Sequence, residues 1–234
     1  MKYQGIFFDL DGTLLPMDYN TFMKGYLGML SAAVAPYGYE PKAMLCAMWQ
    51  GVEKMMKNDG TRTNYQVFWE HFASRLGERC WDDIDKFDAF YSDGFHKCAA
   101  FTSPTPLAKR AVELAREKST CVVLATNPFF PPVAVDSRLS WANISPGAFD
   151  LITHYENSSY CKPNPQYFTW ICEKFTLDPT QCLMIGNNAD EDIEAAQNAG
   201  LDTFLLTDCL IAEHGIPETK QGDFPALISF LENL

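Results

Sequence analysis

The sequence predicts an α/β protein: a three-layer parallel-sheet core interrupted, after its first strand, by an inserted α-helical cap domain. Three observations carry this. Short apolar or β-branched segments at 3–8, 121–125, 149–153, 182–185 and 203–206 are bounded by turn or polar residues and read as buried strands. Helical patterns lie between the later ones, the signature of a parallel sheet covered on both faces. Residues from about 16 to 100 show helical spacing and no good strand signal.

In chain order, the strand at 3–8 runs directly into Asp9. Three apolar stripes at helical spacing follow: Phe22, Met23, Tyr26, Leu27 and Leu30; then Met44, Leu45, Met48, Trp49, Val52 and Met55; then Tyr65, Phe68, Trp69, Phe72 and Leu76. A weaker helix covers 82–91. These stripes read as the insert's own core. The chain departs near 14–18, with Pro16 as the break, and returns at Ser103-Pro104-Thr105-Pro106, where two prolines fix φ. Thr105 is placed to cap the next helix, with Pro106 at its first position. The division is therefore residues 1–15 and 101–234 for the core and 16–100 for the insert. Two crossings placed this way make a hinge, so the insert is expected to move as a lid. In the core, Leu107, Ala111, Leu114 and Ala115 share a helix face, as do Tyr167, Phe168, Ile171 and Phe175, and Ile193, Ala196 and Gly200.

Length and composition agree. A chain of 234 residues, 47% hydrophobic and 21% charged, buries about 70% of its unfolded surface and is not disordered. A formal charge of −12 argues against nucleic acid or an anionic membrane as the main partner, since both attract basic surfaces. The N-terminus lacks a signal peptide's apolar stretch, and no apolar run approaches the ~18 residues of a membrane helix. The eight cysteines are scattered without a C-x-x-C pair and read as reduced, mostly buried thiols of a cytoplasmic protein.

Four segments carry chemistry. Asp9-Leu10-Asp11-Gly12-Thr13 lies at the carboxyl end of the first strand, where ligands sit in a parallel sheet, and Gly12 lets the chain turn sharply. Thr126-Asn127 follows the strand at 121–125. Lys162 precedes the prolines that open a helix. Gly186-Asn187-Asn188-Ala189-Asp190-Glu191-Asp192 follows the strand at 182–185. Singly, each has a plain structural explanation: an Asp-Gly turn, a helix cap, a solvated lysine, a capping box of Asn188 with Glu191. Their order and placement at strand ends are more specific than any one of them.

On those residues the sequence resembles the haloacid dehalogenase-like hydrolase superfamily, in particular its phosphatase branch, over about residues 3–206. The resemblance implies a Rossmann-like core with a helical cap inserted between the first and second motifs. It implies hydrolysis of a small phosphorylated metabolite through an aspartyl-phosphate. Asp9 would be the nucleophile and Asp11 the general acid/base. Thr126 would bind a phosphoryl oxygen, helped by the backbone N–H groups of Leu10, Asp11 and Asn127, and Lys162 would offset the charge of phosphate and nucleophile. The cofactor implied is Mg²⁺, held by Asp9, the backbone carbonyl of Asp11, Asn187 and Asp192. Here the sequence departs from the family, which usually has aspartate at the position of Asn187; asparagine coordinates through its carbonyl oxygen but adds no charge.

Asp11 favours phosphate over halide, because a halide leaving group needs no proton. A phosphomutase or dehalogenase of the same superfamily remains an alternative, and Asn187 and Asn188 motivate a third reading, a phosphate-binding regulatory protein without turnover. In the polar turn at 57–64, Arg62 or Lys57 is a candidate to meet an anionic substrate; the competing reading is a helix connection with solvated charges. His96 reads as structural. Cys161, beside Lys162, is either a thiol of depressed pKa near the site or a packed core thiol.

Overall fold

The computed structural model describes residues 2–234. Six parallel strands form one sheet: β1 (Gly5–Phe8), β2 (Cys121–Leu124), β3 (Leu151–Ile152), β4 (Cys182–Gly186), β5 (Asp202–Leu206) and β6 (Lys220–Gly222), in the order β3-β2-β1-β4-β5-β6. Alternate residues serve the two faces. Ile6, Phe8, Val122, Leu124, Leu183 and Ile185 join the larger core on one side; Phe7, Val123 and Met184 pack on the other with Tyr167, Phe168 and Ile171. Near-continuous apolar runs are what strands buried on both faces require.

Register positions the site. Phe8 lies opposite Leu124 on one side and Ile185 on the other. The ladder continues one step further, as Asp9 N–H donates to the Ile185 carbonyl (3.0 Å) and Ala125 N–H to that of Phe8 (2.7 Å). The three central strands thus end level, delivering Asp9, Thr126 and Asn187 to one edge.

Between β1 and β2 every regular element is helical: α1 (Tyr19–Val34), α2 (Pro41–Met56), α3 (Asn64–Leu76) and α4 (Ile84–Ala89), with a π-type turn at Phe90–Gly94 and a 3-10 segment at Phe95–Phe101. Local chemistry starts each of the long ones. Asp18 accepts from Thr21 N–H, Glu40 from Lys42 and Ala43 N–H, and Thr63 forms a reciprocal capping box with Gln66. The outgoing and returning chains meet: Met17 and Thr102 form an antiparallel bridge and Ser103 N–H donates to the Pro16 carbonyl (2.8 Å).

Three core helices follow in chain order. They are α5 (Pro106–Lys118), started by Thr105 and Pro106, α6 (Pro132–Trp141), and α7 (Gln166–Phe175). A π-type turn at Ala189–Glu194 then leads into α8 (Ala195–Asn198), and α9 (Phe224–Glu232) closes the chain. The helical insert touches the core through rings: Tyr26 on Phe130 (5.4 Å between centroids) and Phe95 on Trp141 (5.0 Å). It also touches it through α3, where Asn64 N–H donates to Ser158 and Tyr65 N–H to Tyr155. All eight cysteines are free and six of them are buried. Among the described residues no helix is long and apolar enough to cross a membrane.

Candidate active site

Asp9 leaves β1 with its side chain almost fully buried, and Lys162 is the reason it tolerates burial. The Lys162 ammonium, itself 1% exposed, donates to Asp9 Oδ1 (2.8 Å) and Asp192 Oδ1 (2.6 Å). A buried cation needs such partners. Burial works against its charge, but Asp192 and Asp9 outweigh burial and hold its pKa well above the usual value. Asp192 Oδ2 accepts from Asn188 N–H (3.0 Å), and burial lifts its carboxyl above the ordinary carboxylate range despite Lys162. Each Asp192 oxygen thus carries one hydrogen bond, which makes this side chain the lysine's anchor and leaves a further lone pair on each oxygen.

Asn187 is likewise committed. Its Oδ1 accepts from Thr13 Oγ1 (2.9 Å) and its Nδ2 donates to the Cys209 carbonyl (2.6 Å). The amide lies across Gly12, whose φ is +86°; a Cβ there would stand 2.4 Å from Asn187 Nδ2. Gly12 is thus required both by its backbone conformation and by that close approach.

Sequence reasoning missed the partner of Asp11. Arg138 of α6 is completely buried and pairs with Asp11 Oδ2; its Nε donates to Ala134 O (3.1 Å) and its guanidinium lies 4.2 Å from the Phe130 ring centroid. Arg138 Nη2 and Asp11 Oδ1 are both buried without a hydrogen-bond partner. Burial raises the Asp11 pKa, the neighbouring Arg138 charge opposing it and Asp9 adding to it. The signal in the sequence is a positional one: Arg138 stands four residues after Ala134 and beside Leu139, in the register of the buried stripe of α6.

Thr126, buried, takes the hydroxyls of Thr153 (2.7 Å) and Tyr167 (2.9 Å) on its carbonyl, which fixes the end of β2. Asn127 Nδ2 bridges the Lys162 carbonyl (3.1 Å) and Glu191 (2.9 Å), leaving its Oδ1 buried and unpaired. Glu191 has its pKa raised by burial, against the pull of Lys162 and Asn127. Asn188 caps the turn it opens by accepting from Asp190 and Glu191 N–H (both 3.1 Å), but Glu191 turns to Asn127 instead of completing a capping box.

These residues lie at one end of a cavity of about 540 Å³ between the strand ends and the helical insert, lined at that end by Asp9, Asp11, Thr126, Asn127, Asn187 and Asp192. Arg62 is not brought there. It is exposed and paired with Glu70, while Lys57 pairs with Glu53 (2.5 Å), as the solvated-charge reading holds. His96 is exposed and away from the cavity. Cys161 is a packed thiol: burial pushes its pKa up, and it accepts from Asn64 Nδ2 (3.2 Å).

Among the described residues no three or more His, Cys, Asp or Glu side chains converge as a metal site. The oxygens present are hard donors: Asp9, the Asp11 main chain at the same turn, the Asn187 amide and the Asp192 carboxylate. That sparse set fits Mg²⁺, which binds through one or two carboxylates and keeps several waters.

A doubly wound parallel sheet with two carboxylates and a buried lysine converging beyond its strand ends defines a hydrolase-type site of the kind the sequence resembles. The chain belongs to the haloacid dehalogenase-like hydrolase family, which it matches over residues 3–200. Among curated proteins it is 31% identical over 141 residues to a phosphoglycolate phosphatase of Vibrio vulnificus (strain YJ016), covering 60% of this chain and 58% of that protein. It is 26% identical over 208 residues to the pyrimidine 5'-nucleotidase YjjG of Escherichia coli (strain K12), covering 88% and 87%. The chain thus spans under two thirds of the length of the Vibrio vulnificus and Aliivibrio fischeri phosphoglycolate phosphatases it matches. Among solved structures it resembles a 2-haloacid dehalogenase from Pseudomonas syringae pv. tomato DC3000 (TM-score 0.65, 16% identity, 97% and 99% covered). A predicted phosphoglycolate phosphatase from Haemophilus somnus 129pt is similar too (TM-score 0.61, 20% identity, 98% of each chain). These last two are likenesses of fold.

Proposed function

We propose that the protein is a phosphatase that hydrolyses a small phosphate monoester through an aspartyl-phosphate on Asp9. The observation that supports this best is the pairing of Lys162 with both Asp9 and Asp192 beside Asp11, at the open ends of β1 and β4. Lys162 occupies Asp9 Oδ1, leaving the other oxygen for in-line attack on phosphorus. Asp11 protonates the departing alkoxide and then takes a proton from the water that opens the acyl-phosphate. Its raised pKa suits the first task, and the Arg138 guanidinium stabilises the ionised form needed for the second. The Thr126 hydroxyl and the backbone N–H groups of Leu10, Asp11 and Asn127 bind the phosphoryl oxygens. Asp9, the Asp11 carbonyl, Asn187 and Asp192, directly or through water, would hold Mg²⁺, which when bound neutralises charge on the phosphoryl group. Residues 16–100 act as a cap that limits water at the site.

Phosphate release from a panel of esters, with Mg²⁺ or chelator, tests this in wild type and Asp9→Asn side by side. Release that needs both the metal and Asp9 is expected. Full activity in Asp9→Asn sinks the proposal; halide release or an isomeric sugar phosphate as product replaces it with a dehalogenase or a mutase. The engagement of Asn187 by Thr13 and Cys209 favours one second reading, a phosphate-binding protein without turnover, whose mark is ester binding with no product.

A further inference from the structure

Beyond the phosphate end, the cavity changes character. Its walls are the inward faces of the insert and of the loop after β2: Phe22, Leu30, Val52, Phe68 and Phe72 among others, with Phe130 and Tyr155 from the core side. Trp49 and Met56, both part-exposed, stand in the same lining. Among the described residues no lysine or arginine lines it; the basic group present is His214, and that pairs with Asp190 (3.2 Å). The two buried cations nearby are already used, Lys162 by Asp9 and Asp192, and Arg138 by Asp11. The cations of the 57–64 turn are held outside by Glu53 and Glu70. Asp88, Glu191 and Glu213 add negative charge to the lining.

A leaving group carrying a carboxylate or a second phosphate would meet no counter-ion here and would be desolvated beside acids. An apolar one would displace water from aromatic and aliphatic surface. At about 540 Å³ the cavity lies in the range that takes a ligand of drug size, far more than a two-carbon acid needs.

We propose that the substrate is the phosphate monoester of an apolar alcohol, alkyl or aromatic, whose hydrocarbon part lies against the insert while its phosphate meets Asp9. This rests on the phosphatase reading above. The ester P–O bond breaks, the alcohol departs with the Asp11 proton, and water supplies the oxygen that ends in inorganic phosphate. One water is consumed for one ester cleaved.

The test is kcat/KM of wild type across butyl, hexyl and octyl phosphate and 1-naphthyl phosphate, against phosphoglycolate, glucose 6-phosphate and UMP. Each methylene buried is worth roughly fourfold. A rise of at least tenfold from butyl to octyl is therefore expected, with the three hydrophilic esters at the bottom. In Val52→Asp, which places an acid in the apolar wall, the chain-length slope should flatten. Calorimetric binding of butyl- and octylphosphonate to wild type is read independently of turnover. Turnover fastest on phosphoglycolate, glucose 6-phosphate or UMP, with no chain-length slope, leaves the phosphatase and overturns the apolar substrate. Binding that tightens with chain length but no turnover of any ester sustains the cavity's preference and overturns the phosphatase. Phosphonate binding that is flat with chain length overturns the apolar assignment whatever the turnover.

Discussion

Arg138 and Asn187 show how much of the site's geometry is held by side chains outside the Asp9–Lys162–Asp192 cluster. Arg138 is buried on all sides, with Asp11, Ala134 O and the Phe130 ring as its compensation. Removing one partner of a buried ion pair leaves the other uncompensated. Arg138→Met is expected to lose about 3 kcal/mol by urea denaturation, the low end of the range for such pairs because Asp11 keeps some solvent contact. Arg138→Lys should recover little, since it gives up both the Nε bond and the planar stacking. A loss below ~1 kcal/mol in Arg138→Met, within the range of exposed pairs, would show the pair to be solvent-screened. Asn187 makes a different point. Asn187→Asp keeps the bond from Thr13 but sets a carboxylate oxygen against the Cys209 carbonyl, where an N–H now lies at 2.6 Å. In chelator, its Tm should fall by an amount reflecting about 1–3 kcal/mol. Added Mg²⁺ should restore more of that Tm than it adds to wild type, because the new charge favours the cation. Equal Mg²⁺ shifts in both proteins would remove position 187 from the metal site.

Elements differed in how legible they were. β1, β2 and β4 are four- or five-residue apolar runs buried at every position, and α1, α2 and α3 carry apolar stripes behind good caps, so composition and period both announce them. β6, by contrast, is Lys220-Gln221-Gly222, a polar edge strand with no hydrophobic period to announce it. The segment expected as a strand at 149–153 pairs only over Leu151–Ile152. α6 opens with two prolines that read as breakers, and with α6 unseen nothing brought Arg138 to Asp11. Asp9 and Asp11 were legible because strand ends in a parallel sheet point to one edge, and Lys162, in the segment before α7, only as part of the motif resemblance; contacts between distant side chains leave no such trace. Within the insert, one network makes a pH prediction at this scale. Asp83, just before α4, accepts from Tyr39 OH (2.8 Å) and pairs with Lys86, and these two, Lys86 first, hold its carboxyl below the usual range. A folded-state pKa below the unfolded value of about 3.9 gives stability above that value that is lost as pH falls through the folded one. Asp83→Asn should therefore be less stable than wild type at pH 7, and the gap should begin to narrow as pH falls below about 4. A gap independent of pH would assign the loss to the hydrogen bond alone.

At the scale of the whole molecule, the insert and the core are joined on three sides: the paired crossings at Met17 and Thr102, the aromatic contacts to Phe130 and to Trp141 of α6, and the backbone bonds from α3 to 155–158. On the proposed reading of residues 16–100 as a cap, any opening would pivot about these attachments, on the side away from the exposed Trp49 and Met56 of α2. The same global view governs approach of the substrate. The chain carries −12, and acids at 88, 190, 191 and 213 line the cavity, while its two nearest buried cations are neutralised in place. The phosphate monoester dianion proposed as substrate would thus diffuse toward a field of its own sign. Screening reaches about 10 Å at 0.1 M salt, so added salt should lower that barrier. With Mg²⁺ held constant and saturating, kcat/KM for an alkyl phosphate is expected to rise severalfold between 10 and 150 mM NaCl while kcat stays level. A kcat/KM that falls with salt would mean that the substrate enters along a locally positive path, and would place an attractive charge at the entrance that the net balance hides.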